Sequence, residues 1–407
     1  MNRKTLIGLA VATAIALTIA VMLQFSQQPR SSDDEGRPSE ALAPTLAGHV
    51  NDIDKLVVTG AGGKVIATLV RGDGGWTLQE KGGYAVDTGK LRAFLLKLAD
   101  SKRLEPKTAD AARHAALGVE DVAAADAKGV LVELGGLAQP LRLVVGESST
   151  RGGNTFVRFA DEAQSWLASG LLAPEETAAD WLARDLVDID AARVAQVELT
   201  APDGSSVKVS KSAEGDADFA LAGIPKGREA GSAYTINGLA GALDGVRFDD
   251  VLPAGEAPPP ANARKARYAT FDGVVIDAVA WEAEGKHYAR FVAALDDARA
   301  ASHAESAGAS ATTQASATGA DADAKQNDAP AEGAPAAAPE PGSAPAKDPQ
   351  ARLAGVREEV ASLQRRFDGW TFVVPAYKYA ALDKSLEDLL KPVESAKPAA
   401  GKAGAKK

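Results

Sequence analysis

Short apolar runs rich in β-branched residues alternate with two polar, glycine-rich breaks along "KLVVTGAGGKVIATLVRGDGGWTL" (Lys55–Leu78). Such runs bounded by turn residues argue for strands. The pattern therefore predicts strands at Lys55–Thr59, Lys64–Val70 and Trp76–Leu78, joined by turns. The break "GAGGK" lacks the order of a phosphate-cradling loop, because Val58 stands where its first glycine belongs and Val65 follows Lys64. It reads as a turn. The pattern then changes: Leu91, Phe94, Leu95 and Leu98 fall at helical spacing.

The same grammar returns further along. "DIDAARVAQVELTAPDGSSVKVSK" again opens on Asp-Ile-Asp (Asp188, Ile189, Asp190) and alternates through Val197 and Leu199, then Val207 and Val209. Where the first copy has "GAGG", the second has "APDG", ordinary hairpin-turn chemistry. "YTINGLAGALDGV" predicts a helix carrying Ile236, Leu239 and Leu243. A β-meander at Val130–Phe159 ends on "FVRF" and another at Ala266–Phe291 ends on "YARF", so Arg158 and Phe159 match Arg290 and Phe291. Trp166 follows the first meander closely, and Trp370 follows the second after a long intrusion.

That intrusion, Asp296–Gln350, is dominated by Ala, Ser, Pro, Asp and Glu and lacks the apolar residues that offset ordering entropy. It is expected to be a disordered insertion within the second repeat. "ARLAGVREEVASLQRRF" then places Leu353, Val356, Val360, Leu363 and Phe367 on one helical stripe, expected to face a core. The fold class is α+β: an N-terminal transmembrane helix, then two tandem repeats of antiparallel β-meanders with covering helices. The expected segments are 1–28 as cytoplasmic stub and anchor, 29–50 as tether, and 51–187 as the first repeat. The second repeat follows at 188–390, with the insertion at 296–350 and a helix at 351–367, and 391–407 is a Lys-rich tail.

The anchor rests on Leu6–Leu23, an uncharged run whose apolar face includes Leu6, Ile7, Leu9, Val11, Ile15, Leu17, Ile19, Val21 and Leu23. As a helix it nearly matches a hydrocarbon core of about 30 Å. Arg3 and Lys4 precede it and Asp33, Asp34 and Glu35 follow, which orients the N-terminus to the cytoplasm and the bulk of the chain to the periplasm. Gln24 and Ser26 make a poor signal-peptidase site, so the segment is read as uncleaved.

A formal net charge of −10 argues against a nucleic-acid partner, and the lack of cysteine excludes disulfides and thiolate metal sites. The four histidines, His49, His114, His287 and His303, are scattered and form no metal motif. "SSVK" (Ser205–Lys208) matches a Ser-x-x-Lys acyl-transfer pattern, but alternation at Val207 and Val209 makes it a strand with the two side chains on opposite faces. Asp180, Asp185, Asp188 and Asp190 form a carboxylate-rich stretch that could serve glycoside hydrolysis or hold a cation. Helix capping at Asp180 and recurrence of Asp188 and Asp190 as Asp52 and Asp54 favour structural roles. Of the five tryptophans, Trp76, Trp166, Trp181, Trp281 and Trp370, most fall at repeat-like positions, which favours core packing over a sugar-stacking platform. No catalytic, cofactor or metal residue is assigned.

The ordered series "DIDKLVV…GGWTL", "AALGVED" (Ala115–Asp121), "LRLVVGESSTRGGNTFVRF" (Leu141–Phe159), "DWLARDLVDID" (Asp180–Asp190) and "WTFVVPAYKYAALDKSLEDLL" (Trp370–Leu390) resembles a bacterial envelope family, domain of unknown function 4340. The resemblance implies an inner-membrane anchor and an accessory or scaffold role beside an ABC-type transporter and its gliding-auxiliary-like partners. It carries no catalytic residues. The alternative expectation is a periplasmic binding module for an envelope glycan or lipid. A hydrolase using the Asp180–Asp190 carboxylates ranks third.

Overall fold

The computed structural model describes residues 40–150, 152–306 and 348–392. The anchor residues Leu6, Ile7, Leu9, Val11, Ile15, Leu17, Ile19, Val21 and Leu23 lie outside these, as do 307–347 of the expected insertion and the tail from 393. No helix among the described residues is long and apolar enough to cross a membrane.

The chain is a mixed α+β fold with antiparallel sheets and few helices. It opens with β1 (Lys55–Thr59), β2 (Val65–Gly72), β3 (Gly75–Leu78), β4 (Tyr84–Ala85) and α1 (Thr88–Asp100). The "GAGG" break is the β1–β2 turn, with Gly62 and Gly63 at φ 68° and 70°, where a side chain would be strained. Strands β5 (Arg103–Pro106), β6 (Val130–Gly135), β7 (Leu141–Ser148), β8 (Thr155–Phe159), β9 (Ser165–Ala168) and β10 (Asp185–Val187) follow. The fold divides into two compact units. One is built from residues up to Val65 with Arg92–Pro174, the other from Ile66–Leu91 with the residues from Glu175 onward.

In the first unit the strand order is β1-β6-β7-β8-β9-β5. Leu56, Val58, Val132, Leu134 and Leu143 are fully buried. The opposite face of the sheet carries Leu131 and Val144, directly paired across β6 and β7, and is covered by a loop that contributes Val119 and Val122. Arg158 pairs with Val144 in the sheet, so it shares that face. Its Nε donates to Val119 O at 2.7 Å, and Nη1 donates to the carbonyls of Phe159, Ala160 and Glu162 at 3.0–3.2 Å. The side chain is only 8% exposed. One guanidinium thus satisfies backbone acceptors that the covering loop would otherwise bury unpaired. Residues 41–47, expected to belong to the tether, are folded here: Leu42 and Leu46 are buried, and Leu42 N–H donates to Ser101 O.

The second unit continues with β11 (Val194–Thr200), β12 (Ser206–Ser210), β13 (Ala220–Leu221), α2 (Ala233–Asn237), β14 (Val246–Arg247), β15 (Asp250–Pro253), β16 (Arg264–Thr270), β17 (Val274–Ala283) and β18 (Lys286–Leu295). A helix at 297–306 (α3), then α4 (Pro349–Phe367), β19 (Trp370–Val373) and α5 (Ala376–Leu382) complete it. Its sheet order is β13-β12-β11-β16-β17-β18-β19-β15, so β11-β16-β17-β18-β19-β15 repeats the connectivity of β1-β6-β7-β8-β9-β5. Arg290 on β18 repeats the role of Arg158. Its Nε donates to Thr371 Oγ1 at 2.8 Å, and Nη2 donates to the carbonyls of Ala254 and Ala257 in the β15–β16 connection.

Two expectations need correction. The helix expected to carry Ile236, Leu239 and Leu243 is instead the five-residue α2 followed by a 3-10 turn at Ala240–Leu243. Gly238 and Gly241 fall in this short stretch, and glycine weakens a helix by about 1 kcal/mol per residue. The chain also stays folded past Asp296: α3 buries Ala300 and Ala304, and the Ala300 N–H donates to Asp296 O. Alanine supplies both helix propensity and a face small enough to pack closely, so a composition poor in large apolar residues conceals it. The apolar stripe of α4 does face inward at Val360, Leu363 and Phe367. Arg193 grips the helix with a two-pronged bond to Glu359, at 3.0 and 2.9 Å, and also binds Asp272 at 2.7 Å.

Replacing Arg158 with Met is expected to cost about 3 kcal/mol, because buried carbonyls lose their donor. The urea midpoint should fall with an unchanged slope. Lys at 158 should recover only a minor part, since an ammonium lacks the planar fork. A loss of about 0.5 kcal/mol or less would contradict the assigned role.

Candidate functional site

The second unit contains the segment that sequence reasoning placed deep in the first repeat. The β3–β4 hairpin is held there by the Lys81–Asp250 ion pair at 2.6 Å and by Tyr84. The Tyr84 ring meets Phe248, Trp370 and Phe372 edge-on at centroid distances of 5.4, 5.0 and 6.0 Å. Burial pushes its hydroxyl pKa up to about 12. Gly82, at φ 63°, lets the hairpin approach Pro253 and Trp370, where a Cβ would come within 2.7 Å of the proline ring.

Two adjoining cavities open beside the C-terminal turn of α4. The outer one, about 710 Å³, runs between α4 and the far half of β18, with Val292, Phe367 and Trp370 on its walls. Its origin is a length mismatch: β19 pairs with β18 only at Tyr288 and Ala289, whereas β17 pairs with β18 from Val274↔Leu295 to Ala283↔Lys286. On its β19 side, the edge of β18 beyond Ala289 therefore faces this groove, where Gln364 of α4 donates to Ala293 O at 3.0 Å, and Val292 is 61% exposed. The inner cavity, about 400 Å³, is lined by Trp76 and Tyr84 of the hairpin and by Ser362, Arg365, Arg366 and Trp370. Arg365 and Trp370 border both. Arg366 donates to Leu186 O at 2.7 Å, and Arg365 pairs with Glu358 at 2.9 Å in an exposed contact.

The residues weighed from the sequence are dispersed. His49 bonds Asp52 at 2.7 Å, His114 is buried against Ala163 O, His287 lies 4.6 Å from the Tyr379 ring, and His303 meets Glu214. Among the described residues no group of three or more His, Cys, Asp or Glu is arranged to hold a metal ion. Ser205 is in the turn before β12 and bonds Asp203, while Lys208 stands opposite Glu198 on β11. The four carboxylates have separate local partners: Asp185 pairs with Arg247, Asp188 accepts from Gly245 N–H and Asp190 from Ala192 N–H. Asp180 is not itself the cap. Thr177 caps the short turn Ala178–Trp181 and Asp180 closes the reciprocal box from its third position, with Arg184 at 2.8 Å. Trp181 and Trp281 are core residues as expected, but Trp76, Trp166 and Trp370 are only partly buried. Trp76 and Trp370 are the signal that sequence reasoning discounted.

Residues 76–266 match the family described as Domain of unknown function (DUF4340). The match covers Trp76 and Tyr84 but ends before α4. Neither a curated protein nor a solved structure matches the chain.

The Thr177 hydroxyl, and then Arg184, hold the Asp180 carboxyl below its usual range. A depressed folded-state pKa adds stability above the ordinary carboxylate value of 3.8, and that stability is lost as pH falls through the folded value. Asp180→Asn is therefore expected to destabilise at pH 7 and to narrow the stability difference between pH 7 and pH 3 in urea melts. An unchanged difference would refute the assignment.

Proposed function

We propose that this chain is a non-enzymatic, membrane-anchored periplasmic accessory protein, built as two tandem meander repeats behind an N-terminal transmembrane helix, that docks with an ABC-type transport or gliding-auxiliary-like complex. The anchor and its orientation rest on the sequence of Leu6–Leu23, and the kind of complex rests on the family resemblance. The observation that carries the docking reading is the edge of β18 beyond Ala289, which no strand covers and which faces a groove of about 710 Å³, with the Gln364 side chain on Ala293 O for an incoming segment to displace. An open strand edge presents backbone donors and acceptors to an incoming extended segment, and side chains beside it set which segment fits. The separate partners of the Asp180, Asp185, Asp188 and Asp190 carboxylates give them structural work in place of a shared reaction centre.

A second reading, a binding module for an envelope glycan, is favoured by the inner cavity, where Trp76 and Trp370 are both incompletely buried.

The tagged full chain, purified in mild detergent from its own membranes, should retain a permease or auxiliary subunit in stoichiometric amount by mass spectrometry. Val292→Glu should reduce that recovery severalfold with little change in the thermal midpoint, because the side chain is mostly exposed. Elution of the unsubstituted protein alone would contradict the docking reading.

A further inference from the structure

The inner cavity has a composition unlike the rest of the second unit's interior. Two indoles, a phenol ring, two guanidinium groups and Ser362 line it, with Thr77 and Ala85 of the hairpin, and no branched aliphatic residue is among them. The outer groove, by contrast, offers Val292 and Phe367. A lipid tail or an apolar side chain would find little branched hydrocarbon to pack against in the inner cavity. A pyranose ring has apolar C–H faces that suit indoles and a rim of hydroxyls that suits Ser and Thr. A carboxylate on such a ring suits the planar guanidinium fork.

The elements bring these groups together by register. Leu78 pairs with Tyr84 across the hairpin, so Trp76, two residues before Leu78, stands on the same face as Tyr84. On α4, Ser362 precedes Arg365 and Arg366 by three and four residues, which stacks all three along one side of the helix. Trp370, just beyond the helix, closes the wall against Tyr84 at 5.0 Å. The single bond from Arg366 Nη1 to Leu186 O fixes that side chain without using up a group with five donors. Arg71 lies over the Trp76 ring at 5.9 Å and backs it on the hairpin. In a chain of net charge −10, the two guanidinium groups in the lining give the cavity a local charge of opposite sign. Arg365 pairs with Glu358 on the exposed side, and Asp368 lines only the outer groove. A volume of about 400 Å³ lies within the usual range of small-ligand sites.

We propose that this cavity binds an acidic saccharide, its uronic carboxylate held by Arg365 and Arg366 and its ring against Trp76 and Trp370. The proposal rests on the glycan-binding reading and narrows it to carboxylated sugars.

The test is calorimetry on the full chain in mild detergent, with tryptophan emission as a local readout. The probes are an oligogalacturonate and the same oligosaccharide with its carboxylates methyl-esterified. Saturable binding of the acid form is expected, with a change in tryptophan emission, and binding about tenfold or more weaker for the ester. Arg366→Gln should weaken the acid form by a similar factor, and Trp370→Phe should remove most of the emission change. The ester comparison uses the unsubstituted protein, so it stands even if a variant fails to fold. Equal affinity for acid and ester would overturn the carboxylate assignment while leaving a glycan module in place. No binding of either sugar would overturn both, and would do so equally if poly-glutamate or anionic phospholipid vesicles bound instead.

Discussion

An arginine laid across a face of a sheet is the interaction on which the arrangement of both units depends. In each unit the residue before the phenylalanine of "RF" points to a face of the meander that is covered by irregular chain. Irregular chain brings carbonyls with no strand or helix partner, and each would cost about 1–3 kcal/mol if left buried and unpaired. Arg158 supplies donors to Val119, Phe159, Ala160 and Glu162, and Arg290 supplies them to Ala254, Ala257 and Thr371. A lysine could reach such a place but could not divide its donors among several carbonyls held in a plane. Desolvation lowers the pKa of Arg290, the cost of half-burying a cation whose partners here are neutral oxygens.

The same device has different consequences in the two units. Around Arg158 the pinned loop brings Val119 and Val122 onto Leu131 and Val144, and the result is a closed core. Around Arg290 the pinned segment ends at Ala254, which borders the outer groove. In the first unit β9 pairs along β8 from Thr155 to Arg158, whereas β19 stops after two pairs with β18. The same strand order is thus closed in one unit and open in the other, with α4 lining the outer groove and the β3–β4 hairpin the inner cavity. The opening arises there from packing geometry.

Much of this was legible in the residues. Strand β1 and both meanders stand where short apolar runs between turn residues placed them, because glycine-rich and polar breaks mark where antiparallel strands end. The correspondence of Arg158 with Arg290 was visible as a repeated dipeptide, though its role was not, since its partners are backbone carbonyls with no sequence signature. Glycine hid the fragmentation of the expected helix at 234–243, and alanine hid the order of 297–306. The candidate site was the least legible part. Trp76 and Tyr84 meet Arg365, Arg366 and Trp370 only after the chain folds back over almost its whole described length. Repeat-like spacing of tryptophans also argued for a core, which holds for Trp181 and Trp281 but not for the pair at the cavity.

The claim that a half-buried guanidinium organises the open unit can be tested directly by amide hydrogen exchange on the full chain and on Arg290→Met. The account predicts faster exchange in residues 254–263 and in β19, with the paired amides of β16 and β17 keeping their protection. Unchanged protection at 254–263 would contradict it, because that segment would then hold its place without the arginine.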